Sequence, residues 1–188
     1  MRDGTPTRER IERSAMQLFV AKGVADTTVR DIAGASGVAE GALYRHYRGK
    51  DELIHALFER HYLEFAQRLA ALAAERKGAR AKLAAMVEEC ARVFDGDPVL
   101  FQFLLLVQHH SMSRLGADKA TPVEVVRRII ADAMEKGEIA RRDPDLATAF
   151  VFGIILQPAT FMAYGRLPGP MLPLAATLAD ACWRALKN

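Results

Sequence analysis

The chain has 188 residues, 51% of them apolar and 26% charged, with a formal net charge of +3. That is the composition of an ordinary globular protein, and it excludes disordered and fibrous classes. The two cysteines, Cys90 and Cys182, are far apart and without metal-ligand spacing, so neither a disulfide framework nor a metal site is expected, and the expected compartment is a reducing cytoplasm.

The positive excess is local. Residues 1–50 hold nine Lys/Arg against six Asp/Glu, whereas residues 51–188 hold seventeen of each. A basic end facing an anionic partner is the reading that follows. The opening "MRDGTPTRER" is charged and polar, without the apolar core of a secretory signal.

Helical punctuation recurs along the chain and strand signals are almost absent. Ile11, Ala15, Leu18 and Phe19 share one face of a first helix, which Gly23 ends. Thr28 with Asp31 three residues on is a capping box that opens a short second helix through Ile32 and Ala33. Gly37 supplies a tight turn, a third short helix runs through Leu43 to about Tyr47, and a long fourth helix begins at Asp51. Further helices are expected over about 79–94, after Asp97-Pro98, after Thr121-Pro122, after Asp143-Pro144, and over about 172–186. The expected architecture is therefore all-α with about nine helices. Residues 1–50 hold the first three as a candidate helix-turn-helix head, and residues 51–188 hold the rest.

Two short helices joined by a glycine turn form a helix-turn-helix, which lays its second helix in the DNA major groove. Ile32, Ala33, Val38 and Leu43 are spaced to pack both helices onto the first, leaving Glu40, Ala42, Tyr44, Arg45 and His46 facing outward. Gly41 lets the backbone approach a phosphate closely, and Tyr44, Tyr47 and Lys50 are candidate donors to phosphate oxygens. Glu40 can accept from a cytosine amine, whereas Ala42 can only touch a thymine methyl.

The stretch "TVRDIAGASGVAEGALYRHYRGKDEL" resembles the signature of TetR-type transcriptional repressors. The match combines Ile32-Ala33, Gly37-Val38, Gly41, Leu43-Tyr44, Tyr47, Lys50 and Leu53, and it extends from about Arg8 through Leu57. The resemblance implies a homodimer, a third helix that reads a double-stranded operator, and a C-terminal core that binds a small-molecule inducer. It also implies that Thr28 and Arg30 meet backbone phosphates, and it matches Gly41, Tyr44, Tyr47 and Lys50 to contact positions. Glu40 and Ala42 depart from the Lys and the Thr or Ser common at those positions. The function implied is a ligand-responsive repressor. An architectural or ligand-independent DNA-binding protein, or an activator, is the alternative on the same fold.

In the C-terminal part, the fourth helix sets Tyr62 and Phe65 toward the core. The segment "PVLFQFLLLVQHHSMS" offers Phe101, Phe103, Leu104, Gln108, His109 and Met112 as an apolar wall with a few polar groups. Ile130, Phe150, Ile154 and Phe161 complete the candidate pocket, and a plain hydrophobic core is the competing reading for each. Adjacent histidines diverge by about 100° on a helix, so His109 and His110 cannot share one pocket. Residues 146–165 carry no charge, yet Thr148, Gln157, Pro158 and Thr160 interrupt them, so a core and interface helix is expected in place of a membrane span. The expected dimer interface is built from this helix, through its stripe of Ala149, Gly153, Gln157 (or Leu156), Thr160 and Tyr164, and from the last helix, with Trp183 in either interface or core. Pro158 is expected to kink or break that helix. No catalytic motif, paired carboxylates in an apolar run or phosphate loop is present in the sequence. Neither an enzyme nor a cofactor is expected.

Overall fold

The computed structural model describes residues 5–116 and 119–187. Among the described residues there are nine α-helices and no strand: α1 Thr5–Lys22, α2 Val29–Ser36, α3 Glu40–Tyr44, α4 Lys50–Ala74, α5 Ala79–Gly96, α6 Pro98–Met112, α7 Pro122–Glu135, α8 Pro144–Ala163 and α9 Ala175–Lys187. A single 3-10 turn, Leu172–Leu174, precedes α9. The local signals act where the sequence put them. Gly23 (φ 86°) and Gly37 (φ 66°) take the left-handed conformation that ends α1 and α2. Thr121 Oγ1 accepts from Glu124 N at 3.3 Å to open α7, and Asp143 Oδ1 accepts from Asp145 N at 2.7 Å to open α8.

Packing groups the chain into two compact units. One comprises Met1–His61 with Val99–Ala117, and the other comprises Tyr62–Pro98 with Asp118–Asn188. Compactness thus divides the chain differently from the boundary read at residue 50. The start of α4 and all but the first residue of α6 belong with α1–α3, because α1 and α6 share an aromatic contact. Phe19 and Phe103, both fully buried, stack with ring centroids 6.0 Å apart. Ile11, Ile32, Leu43, Leu53, Leu57 and Phe58 are among that unit's other buried apolar residues.

One carboxylate sits inside this first unit. Glu12 on α1 is only 4% exposed. It accepts from Arg8 Nε at 2.8 Å, from Arg60 Nη1 at 3.1 Å and again from Arg60 Nη2, and from the Tyr47 hydroxyl. Tyr47 also accepts from Arg8 Nε at 3.1 Å, and the Arg8 guanidinium lies over its ring. Three parts of the unit, α1, the turn after α3 and α4, are thereby tied to one charge. Burial would raise the Glu12 pKa, but the hydrogen bonds from Arg60, Tyr47 and Arg8 outweigh it and hold the carboxyl below its ordinary value.

In the second unit α5 packs on α9 and α7 on α8, around Leu83, Val87, Phe94, Ile130, Val151, Ile155, Cys182 and Leu186. Glu138 Oε2 accepts from Ala79 N at 2.7 Å and so caps α5 from the turn after α7. Asp95 accepts from the backbone N–H groups of Met171 and Leu172, both at 2.8 Å, fixing the approach to α9. Both cysteines are free and buried, and burial pushes the thiols up to about 12 for Cys90 and about 11 for Cys182.

Helix α8 does not break at its proline, and one of its sides is left uncovered within the single chain. It runs through Pro158 to Ala163 without a break, because the proline costs one hydrogen bond, to the carbonyl four residues earlier, in a 20-residue helix. Nor is it buried on all sides. Only Ala147, Thr148, Val151, Ile155 and Ala159 are covered, on one face.

Replacing Glu12 with Gln is expected to cost about 2 kcal/mol at pH 7, between the ~0–1 of an exposed ion pair and the ~3–5 of a fully buried one, since Arg60 is part-exposed. A depressed carboxyl pKa stabilises above the unfolded value of about 4.3 and loses that effect as pH falls through the lower folded value. Urea unfolding should therefore show the difference between wild type and Glu12→Gln narrowing below about pH 4. An unchanged difference from pH 7 to pH 3 contradicts the assignment.

Candidate nucleic-acid interface

The segment from Thr27 to Lys50 is held from within so that one side of α3 stays open. Thr28 caps α2: its hydroxyl accepts from Asp31 N at 3.1 Å while Asp31 Oδ2 accepts from Thr28 N at 2.8 Å. Lys22 closes on the same carboxylate at 2.9 Å, and these partners, Lys22 first, hold Asp31 well below the usual carboxylate range. Ser36 is buried and donates back to the Ile32 carbonyl at 2.7 Å. Helix α3 is only five residues long, and Leu43, fully buried, is its anchor.

Opposite Leu43 the helix shows Glu40, Gly41, Tyr44 and Arg45, all exposed, with Ala42 and His46 half-buried at the margin. Tyr44 is 54% exposed, an unusual setting for a large aromatic ring with no partner in a core. Gly41 has ordinary helical φ, and nothing lies within 4 Å of where its Cβ would be. Its missing side chain therefore answers no need inside the chain. It leaves room for a body approaching from outside. Thr28 and Arg30 on α2 are exposed beside this face. Arg48 joins them from the turn after α3, its backbone N–H held by Glu52 Oε2 at 2.6 Å. It was not among the residues picked from the sequence, although the basic run "RGK" was the available signal.

Two expected phosphate donors are otherwise engaged. Tyr47 is 4% exposed and its hydroxyl proton is given to Glu12, so its role is corrected from donor to phosphate to internal strut. Burial, then the hydrogen bond to Glu12, pushes its phenol up to about 12. Lys50 donates to the carbonyls of Val24 at 2.7 Å and Thr27 at 2.9 Å, latching the α1–α2 connection to the start of α4. One of its three N–H donors is left for an outside acceptor.

The candidate pocket residues are spread over both units. In the first, Phe101 and Phe103 are buried, Leu104, Gln108 and Met112 are half-buried, and His109 is exposed and so encloses nothing. In the second, Ile130 is fully buried, while Tyr62, Phe65 and Ile154 are half-buried. Burial pushes the Tyr62 phenol up to about 12. Phe150 and Phe161, also expected in the pocket, instead project from the uncovered side of α8, 40% and 44% exposed. An almost wholly apolar helix gives no contrast by which the sequence could orient it. The interface candidates Ala149, Gly153, Gln157 and Tyr164 lie on that same uncovered side, Thr160 is half-buried beside them, and Trp183 is half-buried on α9.

Residues 11–57 match the family model of the bacterial regulatory proteins, tetR family. The HTH-type transcriptional regulator SrpR of Pseudomonas putida is 47% identical over 51 residues, which is 27% of this chain and 24% of SrpR. The chain thus matches about a quarter of that relative's length. The fatty acid metabolism regulator protein of Bacillus subtilis is 25% identical over 166 residues, 85% of each chain. The crystal structure of the regulator FadR from Bacillus subtilis in complex with stearoyl-CoA superimposes with a TM-score of 0.76 at 19% identity, covering 95% of this chain and 98% of that one. At that identity the likeness is one of fold. The tetR-family model thus covers the helix-turn-helix part, from within α1 to the first turns of α4, and the likeness along nearly the whole chain is one of fold.

Proposed function

We propose that the chain is a dimeric, ligand-responsive transcriptional repressor of the bacterial cytoplasm, released from a palindromic operator by an apolar inducer. The observation that carries the reading is the open face of α3, where Glu40, Gly41, Tyr44 and Arg45 stand together with nothing inside the protein to occupy them. Thr28 and Arg30 on one side, and Arg48 and the spare donor of Lys50 on the other, supply hydroxyl and cationic donors suited to phosphate. Few such groups are present per copy, so useful affinity requires two copies on one site.

The second copy is read from α8. Leu146, Ala149, Phe150, Gly153, Gln157, Phe161 and Tyr164 form an uncharged exposed stripe, with Tyr164 73% exposed and Leu146 51%. Helix α8 is long and apolar enough to cross a membrane by length and composition. Its small residues at Ala149 and Gly153 and its polar Gln157 fit close approach of a second helix better than lipid. Phe150 and Phe161 belong with this interface in place of the pocket.

The inducer class proposed is a fatty acyl compound. Supporting it are the Bacillus subtilis relative named for fatty acid metabolism, 25% identical over 85% of each chain, and the similar fold solved with stearoyl-CoA. Phe101, Phe103 and Ile130 are the apolar candidates the fold keeps buried. Helix α4, which contributes to both units, is the element whose equilibrium such a ligand would bias.

Selection of duplexes from a random pool should enrich a palindrome, and palmitoyl-CoA should release the protein from it while coenzyme A alone should not. Enrichment without release by any acyl thioester favours the ligand-independent regulator. Tyr44→Phe should lower affinity for all duplexes about equally, by roughly three- to tenfold, with thermal stability unchanged. Tyr47→Phe should do the reverse, lowering the melting temperature by roughly 2–4 °C through a loss of about 1 kcal/mol at Glu12. Gly153→Arg should yield monomers in sedimentation and weaken operator binding at least tenfold. A Gly153→Arg dimer would remove α8 from the interface.

A further inference from the structure

Residues 27–50 hold two carboxylates, and the protein uses only one of them. Asp31 is held by Lys22 at 2.9 Å and by the backbone and hydroxyl of Thr28. Glu40, the first residue of α3, is exposed and makes no hydrogen bond or ion pair among the described residues. The positions three and four away from it are Gly37, Leu43, Ser36 and Tyr44, so no cation stands at helical pairing distance. Glu40 nevertheless shares the open face of α3 with Arg45, and Arg30 and Arg48 flank that face, all three exposed.

On a surface meant for phosphate alone this carboxylate is a defect, because it repels the anion that the three arginines attract. Complementing the positive end of α3 is a weak service in a solvated helix of five residues. An ionised carboxylate accepts hydrogen bonds and cannot donate one. In the major groove the only donors are the N4 amine of cytosine and the N6 amine of adenine. Adenine sets the N7 lone pair directly beside N6, where it repels a carboxylate, whereas cytosine has a C5–H on that side. Guanine offers acceptors, and thymine an acceptor and a methyl group.

Position agrees with this chemistry. The N-terminal residues of a recognition helix are those that meet base edges. Gly41 has no side chain and nothing within 4 Å of where one would be, and Ala42 adds only a methyl, so neither bars Glu40 from a groove floor. Tyr44, one turn further on, and Arg45 are the long donors left to hold phosphates. We infer that Glu40 determines operator specificity, its carboxylate accepting from the N4 amine of one cytosine in each half-site. This rests on the proposal that α3 reads DNA, and it adds which base is read. The carboxylate lowers affinity for every duplex through phosphate repulsion and offsets that loss only where the cytosine stands.

The test takes the palindrome selected from the random pool, altered one base pair at a time, and follows binding of the full chain by fluorescence anisotropy. In wild type one cytosine per half-site should resist replacement, each exchange lowering affinity roughly tenfold. N4-methylcytosine at that place still pairs with guanine but turns a methyl into the groove, and it should lower affinity as much. Glu40→Ala should lose the preference at that pair and at no other. It should also bind a scrambled duplex more tightly than wild type does, since a negative charge has left the phosphate-facing side. Glu40→Gln should move the preference to adenine, whose N6 and N7 an amide meets with an acceptor and a donor. A palindrome without such a cytosine, or a cytosine preference that persists in Glu40→Ala, would overturn the assignment and leave the repressor reading standing. So would an equal loss on all duplexes in Glu40→Ala, the mark of a residue that merely stabilises α3. Failure to enrich any palindrome would remove both.

Discussion

The buried carboxylate of Glu12 is the constraint around which the helix-turn-helix part is built. A charge at 4% exposure has to be neutralised where it lies, and here two guanidinium groups and a phenol do so from α1, from α4 and from the turn after α3. Removing any one partner leaves the others around an under-satisfied ion, so the three positions act as a unit. Five-residue α3 has too little helix of its own to be stable. Its position is fixed from both ends, by Leu43 in the apolar core and by Tyr47 on Glu12. The exposed face can then be given over entirely to groups that serve an outside partner.

A second consequence is a division of labour between neighbouring tyrosines. Tyr44 and Tyr47 are three residues apart, and both carry a hydroxyl suited to phosphate. One is 54% exposed and the other 4%. Lys50 shows the same economy. Two of its donors hold carbonyls of the α1–α2 connection, and the third remains for a partner. Positions that resemble contact sites in a family signature therefore include residues whose donors are engaged inside the chain.

What was legible in the sequence was local. The Thr28–Asp31 box, the left-handed Gly23 and Gly37, and the caps at Thr121 and Asp143 each depend on neighbours within four residues, and a pattern of that length is visible without a fold. What escaped depended on distance. Tyr47 meets a carboxylate 35 positions earlier and Lys50 meets carbonyls 23 and 26 positions earlier, and no local pattern encodes such pairs. The grouping of α6 with the first unit turns on the stacking of Phe19 and Phe103, again a long-range fact. Helix α8 was legible as apolar but not in orientation, which is why Phe150 and Phe161 were assigned inward.

The central claim is that the exposed face of α3, flanked by α2 and the turn before α4, is where DNA binds. Amide hydrogen exchange of the full chain, with and without a selected duplex, tests it most directly. The account predicts new protection confined to residues 28–31 and 40–50, with the second unit unchanged apart from its response to dimerisation. Protection centred elsewhere, with those two segments exchanging as in the free protein, would contradict it.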